Sequence, residues 1–184
     1  MLIGMLGQKM SGKDTCGDYL VKNYNFTKKS LAQPLKEACK SIFQLTDEQV
    51  YINKEIPDPR WNGVTPRKLL QIVGTNLMRN DLIKYIPELK DMDNTIWIHN
   101  FNLWYENNKD KNVVIADIRF QDEAKMIKDN GGILIRINRG EPNLLDLHQS
   151  EQELLNIEVD YIIENNGTLD DLYMTIKTIV NIDE

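Results

Sequence analysis

Two cysteines and two histidines among 184 residues are too few for a disulfide framework or a zinc cluster of spaced Cys and His. Cys16 and Cys39 fall in segments that read as helices, and a reducing cytosol is the expected home. Long hydrophobic runs are also missing. The apolar N-terminal stretch is only about six residues without a basic flank, and no window approaches the roughly 18 apolar residues of a membrane span, so neither a cleaved signal nor an embedded segment is expected. Bases are in deficit: 22 Lys and Arg stand against 28 Asp and Glu, a formal net charge of -6. Duplex nucleic acid is therefore not an expected partner, and any bound anion must be held by a local cluster. With no GxSxG elbow and no convincing nucleophile-base pair, a hydrolase with a covalent intermediate is not expected either.

What is present is an ordinary globular composition, 41% apolar and 27% charged, in a chain read as one domain that buries roughly two-thirds of its unfolded surface. Short apolar runs alternate with longer helical patterns, which predicts a mostly parallel sheet of about five strands flanked by helices. Strands are expected at Leu2 to Leu6, Val113 to Ala116, Ile133 to Ile137 and Tyr161 to Ile163, with a weaker one near Phe26 to Leu31. Helices are expected at Lys13 to Asn23, Pro34 to Phe43, Pro66 to Asn80, Thr95 to Asn107, Gln121 to Asn130 and Leu169 to Val180. Thr65 before Pro66, the Gly131-Gly132 pair, and Thr168 with Asp171 are end signals. Thr46 to Val64 and Asn138 to Ser150 read as irregular, and such loops on a rigid frame are expected to contact substrate.

"GQKMSGKDT", Gly7 to Thr15, follows an apolar strand and opens a helix, the context in which a glycine-rich loop cradles phosphates. Gly7 and Gly12 permit the turn, backbone N–H groups around Ser11 face the phosphates, and Lys13 reaches the terminal ones. Asp14 stands where Ser or Thr is usual. Its carboxylate either binds Mg²⁺, directly or through water, or simply occupies the favourable first turn of a helix. The added negative charge needs a nearby cation, for which Lys9 is the candidate. Thr15 is turned about 100° away and is a poor substitute ligand.

In "NVVIADIRFQDE", Asn112 to Glu123, an apolar strand ends in Asp117, with Arg119 two residues on. Ligands of open α/β sheets sit beyond the carboxyl ends of strands, so Asp117 is expected on the same edge as the phosphate loop. It either holds Mg²⁺ or its waters, orders Arg119, or caps the following helix. Arg119 suits an acceptor phosphate, and of Arg136 and Arg139, which alternation sends to opposite faces, Arg139 is the one expected at the centre. On the helix "TPRKLLQIVGTNLMRN", Leu69, Leu70, Val73 and Leu77 form an apolar face, while Arg67, Gln71 and Thr75 form a polar stripe. That stripe is either a reader of base and phosphate or a solvated face. Trp97, Phe101 and Trp104 recur on one side of the next helix and read first as core. His148 has no partner pattern.

Taken with "LAQPLKEA", "IW", "HQSE" and "IIENNGTLDDLY", these segments resemble the deoxynucleoside monophosphate kinase family of tailed phages and large DNA viruses, in family order from Gly7 to Tyr173. An acid after the loop lysine is usual there and in the related phosphomevalonate kinases. The resemblance implies a three-layer P-loop NTPase fold, with a core at 1–45 and 110–184, a helical acceptor-binding region at about 46–109 and a short lid at about 138–150. It implies ATP as donor, Mg²⁺ and a deoxynucleoside 5'-monophosphate acceptor, in a monomer or homodimer in the host cytoplasm. Lys13, Arg119, Asp117 and Arg139 would be catalytic, and Asp14 and Asp117 would serve the metal. Gly7, Lys9, Ser11, Gly12, Lys13, Asp14 and Thr15 would hold ATP, with Asn165, Gly167 and Thr168 bordering adenine. Arg67, Gln71, Thr75, Arg79, Trp97, Arg119 and His148 would meet the acceptor. Kinases of dephospho-coenzyme A or phosphomevalonate, and a nucleotide-binding module without acceptor chemistry, are the alternatives. The segment between Phe43 and Thr65 is short for the family, which leaves base preference open.

Overall fold

Every apolar run read as a strand is a strand in the computed structural model, which describes residues 1–91, 95–140 and 156–182. They are β1 (Leu2–Leu6), β2 (Thr27–Lys29), β3 (Val113–Ile115), β4 (Ile133–Asn138) and β5 (Tyr161–Glu164), all parallel, in the order β2-β3-β1-β4-β5. With Met1–Ser30 and Asn108–Glu184 they belong to one compact unit; Leu31–Asn107 forms a second.

In the first unit, α1 (Lys13–Tyr24), α7 (Gln121–Asp129) and α8 (Leu169–Ile182) cover the sheet. Side chains alternate along a strand. Ile3, Met5, Val114, Ile135 and Ile137 accordingly meet Cys16 and Leu20 of α1 and Leu172 and Ile176 of α8 in one cluster. Helix α7 packs on β1 and β4, where Leu2, Leu134 and Ile127 are fully buried. Helices on both faces make three layers. The connection through α1 carries the chain from β1 past β3 to β2, while that through α7 carries it from β3 past β1 to β4. The two diverge between β1 and β3, the switch point beyond whose carboxyl ends such sheets bind ligands.

The second unit is helical: α2 (Gln33–Phe43), α3 (Asp47–Tyr51), α4 (Pro66–Gln71), a π-type continuation (Ile72–Asp81), α5 (Leu82–Tyr85) and α6 (Ile96–Glu106), with short 3₁₀ turns at Pro59–Trp61 and Pro87–Asp91. Leu35, Cys39, Leu45 and Val50 form its core, with Phe43, Leu69, Leu70, Val73 and Trp97 packed against them. Because α2 belongs here, the contact boundary falls at residue 30 rather than near 45.

Two expectations are corrected. Leu77 leaves the apolar face and is 47% exposed, because the wide turns from Ile72 onward break the 3.6-residue phase on which the face was counted. Thr46 to Val64 is not wholly irregular. Thr46 caps α3 in a reciprocal box with Gln49, and Asp58, 3% exposed, anchors a tight loop closed by Asp58 N–H to Val64 O at 3.1 Å.

Candidate active site

The phosphate loop leaves β1 at Gly7 (φ 147°) and enters α1 through Gly12 (φ 110°). A Cβ on Gly7 would collide with the Ile137 carbonyl oxygen, and one on Gly12 would lie 2.7 Å from Asn165 Nδ2, so neither position tolerates a side chain. Met10 takes a left-handed φ of 64° at the exposed tip. Lys13 Nζ donates to Gly7 O at 2.7 Å and Gln8 O at 2.6 Å, so the ammonium lies inside the curve of its own loop. Ser11 is buried, Lys9 and Asp14 are exposed, and Thr15 is half-buried on α1.

Asn165, just beyond β5, donates Nδ2–H to Ser11 O at 2.8 Å, while its backbone N–H reaches Asn138 O at 2.8 Å. The side chain thus buttresses the phosphate loop from beneath, a task its place in sequence did not announce. Gly167 and Thr168 lead into α8, where Thr168 and Asp171 form the reciprocal cap expected of them: Thr168 N–H to Asp171 Oδ2 is 2.8 Å and Asp171 N–H to Thr168 Oγ1 is 3.2 Å.

The counter-charge of Asp14 is Lys28, not Lys9 as expected from the loop sequence. From the middle of β2, Lys28 Nζ reaches Asp14 Oδ1 and Asp18 Oδ1, each at 2.9 Å. Burial depresses the Lys28 pKa, but the hydrogen bonds to Asp18 and Asp14 outweigh it and the net shift is upward. The signal in the sequence was a basic residue on the neighbouring edge strand, which only pairing of that strand identifies.

Asp117 emerges two residues past Ile115, the buried end of β3. One carboxylate oxygen accepts from Ser30 Oγ at 2.6 Å; the other, Oδ1, is buried without a hydrogen-bond partner. Capping of α7 falls instead to Glu123, whose Oε2 accepts from Arg119 N–H at 2.8 Å and Phe120 N–H at 3.2 Å, fixing the backbone that carries the exposed Arg119. Ile118 N–H bonds to Met5 O at 3.2 Å, tying this strand end to β1. An unpartnered buried oxygen fits a magnesium ion that takes most of its ligands from phosphates and water. No group of three or more potential metal ligands occurs among the described residues. Arg139 is exposed just beyond β4, whereas Arg136 turns away to donate to Ile157 O.

In the second unit Arg67, Gln71 and Thr75 are all exposed and Arg79 is half-buried. Arg67 pairs with Glu55, and its N–H meets Lys54 O at 2.9 Å. Trp97 packs on the core of this unit and donates Nε1–H to Gly74 O at 3.1 Å. His148 and residues 141–150 of the expected lid lie outside the described residues.

The deoxynucleotide monophosphate kinase family model matches residues 1–65 and 51–176. A putative deoxynucleotide monophosphate kinase of Acanthamoeba polyphaga mimivirus is 46% identical over 98% of this chain and 96% of its own length. The deoxynucleotide monophosphate kinase of Enterobacteria phage T4 is 23% identical over 98% of this chain and 99% of its own. Among solved structures, shikimate kinase from Aquifex aeolicus superposes with a TM-score of 0.50 at 16% identity, covering 100% of this chain and 98% of that one. Dephospho-CoA kinase from Campylobacter jejuni gives 0.50 at 14%, covering 98% and 95%. These two likenesses carry the fold, that of a P-loop kinase; the family model and the mimivirus relative carry more. The acid-bearing phosphate loop, the Asp-Ile-Arg strand end beside it and the match along nearly the whole length have one common explanation: the chain belongs to the deoxynucleotide monophosphate kinase family.

Proposed function

We propose that the protein transfers the γ-phosphoryl group of ATP to a deoxynucleoside 5'-monophosphate, yielding ADP and a deoxynucleoside diphosphate for DNA synthesis. The observation that carries this reading is that β1 and β3 are paired in parallel, so that the Gly7–Lys13 loop and the segment bearing Asp117 and Arg119 follow adjacent carboxyl ends. Loop N–H groups and Lys13 bind the donor phosphates, and Lys13 exchanges its two loop carbonyls for phosphate oxygens as ATP enters. Asp117, with Asp14 through water, would hold a magnesium ion, which would supply positive charge to offset that of the donor phosphates.

An acceptor phosphate oxygen attacks the γ-phosphorus in line; the bond to the β–γ bridging oxygen breaks, and its electron pair leaves with ADP. The acceptor oxygen is already largely ionised at neutral pH, so no strong general base is needed. Arg119 and Arg139 stabilise the charge spread over the transferring group. Arg67, Gln71, Thr75 and Arg79 supply the guanidinium, amide and hydroxyl groups that an acceptor base and phosphate require, and Arg67 gives up Glu55 to take the phosphate.

The test offers each deoxy- and ribonucleoside monophosphate separately with ATP and Mg²⁺ and measures both diphosphates. Stoichiometric ADP and dNDP with one or more deoxynucleotides is expected. ATP hydrolysis that no monophosphate stimulates would refute the reading.

A further inference from the structure

We propose that Lys28 is a positioning residue that makes an acidic phosphate loop workable: it offsets the charge of Asp14 and fixes where that carboxylate is held beside the nucleotide phosphates. The inference rests on the kinase reading and deepens it. A carboxylate directly after the loop lysine repels a triphosphate unless its charge is offset, because unit charges a few ångströms apart near a protein surface interact by several kcal/mol before screening. Asp14 is 83% exposed at its side chain and lies in the first turn of α1, immediately beside Lys13. Lys9, in the loop itself, is not its partner in any ion pair among the described residues; Lys28 is.

Three features build this contact. Lys28 projects from β2, which is in register with β3 through Lys28 and Val114, so its backbone is fixed by the sheet. Its aliphatic stem runs over Gly17 of α1: a Cβ there would lie 3.4 Å from Lys28 Cε, and Gly17 is buried by this passage. The ammonium then sits between Asp14 and Asp18, one helical turn apart, at 2.9 Å from each. Asp18 supplies the second anchor that points Nζ along α1 and fixes where Asp14 is held. Two acids on one helix face and one lysine whose stem passes over Gly17 form a clamp whose net charge stays negative by one, and whose nearer carboxylate is engaged by a cation.

A double-mutant cycle tests the clamp through nucleotide affinity, read by titration calorimetry with ATP and with ADP, each with and without Mg²⁺. Lys28→Met keeps the stem and removes the charge; it is expected to weaken ATP binding about tenfold, and Lys28→Arg to restore most of it. In an Asp14→Ser background, which replaces the acid with a hydroxyl, Lys28→Met is expected to change affinity less than twofold. Equal losses in the two backgrounds would overturn the clamp and leave a merely structural lysine, as would unchanged affinity in the Asp14 background. Thermal denaturation of each variant separates folding from binding. Tight ATP binding by the wild type with no such coupling sinks the clamp alone, whereas a wild type that binds no nucleotide sinks both the clamp and the kinase reading.

Discussion

A single side chain decides most at the phosphate loop. Lys13 is already folded onto Gly7 O and Gln8 O, so removing it leaves the loop's backbone dipoles without their cation as well as the phosphates without theirs. Arg119 is exposed while its backbone is pinned by Glu123, which is how a flexible guanidinium acquires a fixed origin. Lys13→Ala and Arg119→Ala are each expected to lower kcat/KM at least a hundredfold, on the scale of losing one preorganised charge-stabilising donor, with circular dichroism unchanged; near-normal turnover in either would remove the assigned role. Asn165 illustrates a different kind of dependence. Its amide makes one hydrogen bond to Ser11 O, yet that bond joins the end of β5 to a loop more than 150 residues earlier in the chain.

At the scale of elements, local chemistry and tertiary packing divide the work. The Asp58 loop is local: Arg60 holds the Asp58 carboxyl below the usual carboxylate range, chiefly by its side-chain hydrogen bond, with burial opposing and Gln49 assisting. A depressed folded pKa stabilises fully above the unfolded value of about 4 and is lost as pH falls beneath it. The melting temperature of the wild type should therefore fall more steeply below pH 4 than that of Asp58→Asn, followed by circular dichroism from pH 5 to 2; parallel curves would show the ion pair to be inert. The π-type segment is set by packing instead. Gly74 lies against Leu35 so closely that a Cβ would clash with it, while Trp97 takes up the Gly74 carbonyl. Gly74→Val should cost about 1–3 kcal/mol by overpacking, seen as a lower urea midpoint with unchanged m-value.

For the whole molecule, ligand binding is the property that reports on fold and site together. A ligand that binds only the native state stabilises it by mass action, so ATP at a hundred times its dissociation constant should add about 2.7 kcal/mol. For a chain of this size that is a rise in melting temperature of about 5–11 °C. The rise should vanish in Lys13→Ala, and its persistence there would place nucleotide binding elsewhere. No helix among the described residues is long and apolar enough to cross a membrane, consistent with the short apolar runs of the sequence.

The sequence by itself determined what depends on neighbours a few positions apart. Apolar runs and their spacing located the five strands, Thr65 and the Thr168–Asp171 pair marked helix starts that form as capped ends, and the glycines around Ser11 declared the loop. The box of Thr46 and Gln49 is equally local, although prolines and a glycine follow it. Tertiary structure alone decided that Lys28 rather than Lys9 answers Asp14, that Asn165 props the loop, that Asp117 pairs with Ser30, and that Leu77 turns outward. Each of these follows from which strand pairs with which, or from a helix widening under packing. Such contacts join residues that sequence spacing cannot rank, because the energy that selects them is gained only once the sheet has closed and the chain entropy of bringing distant segments together has been met.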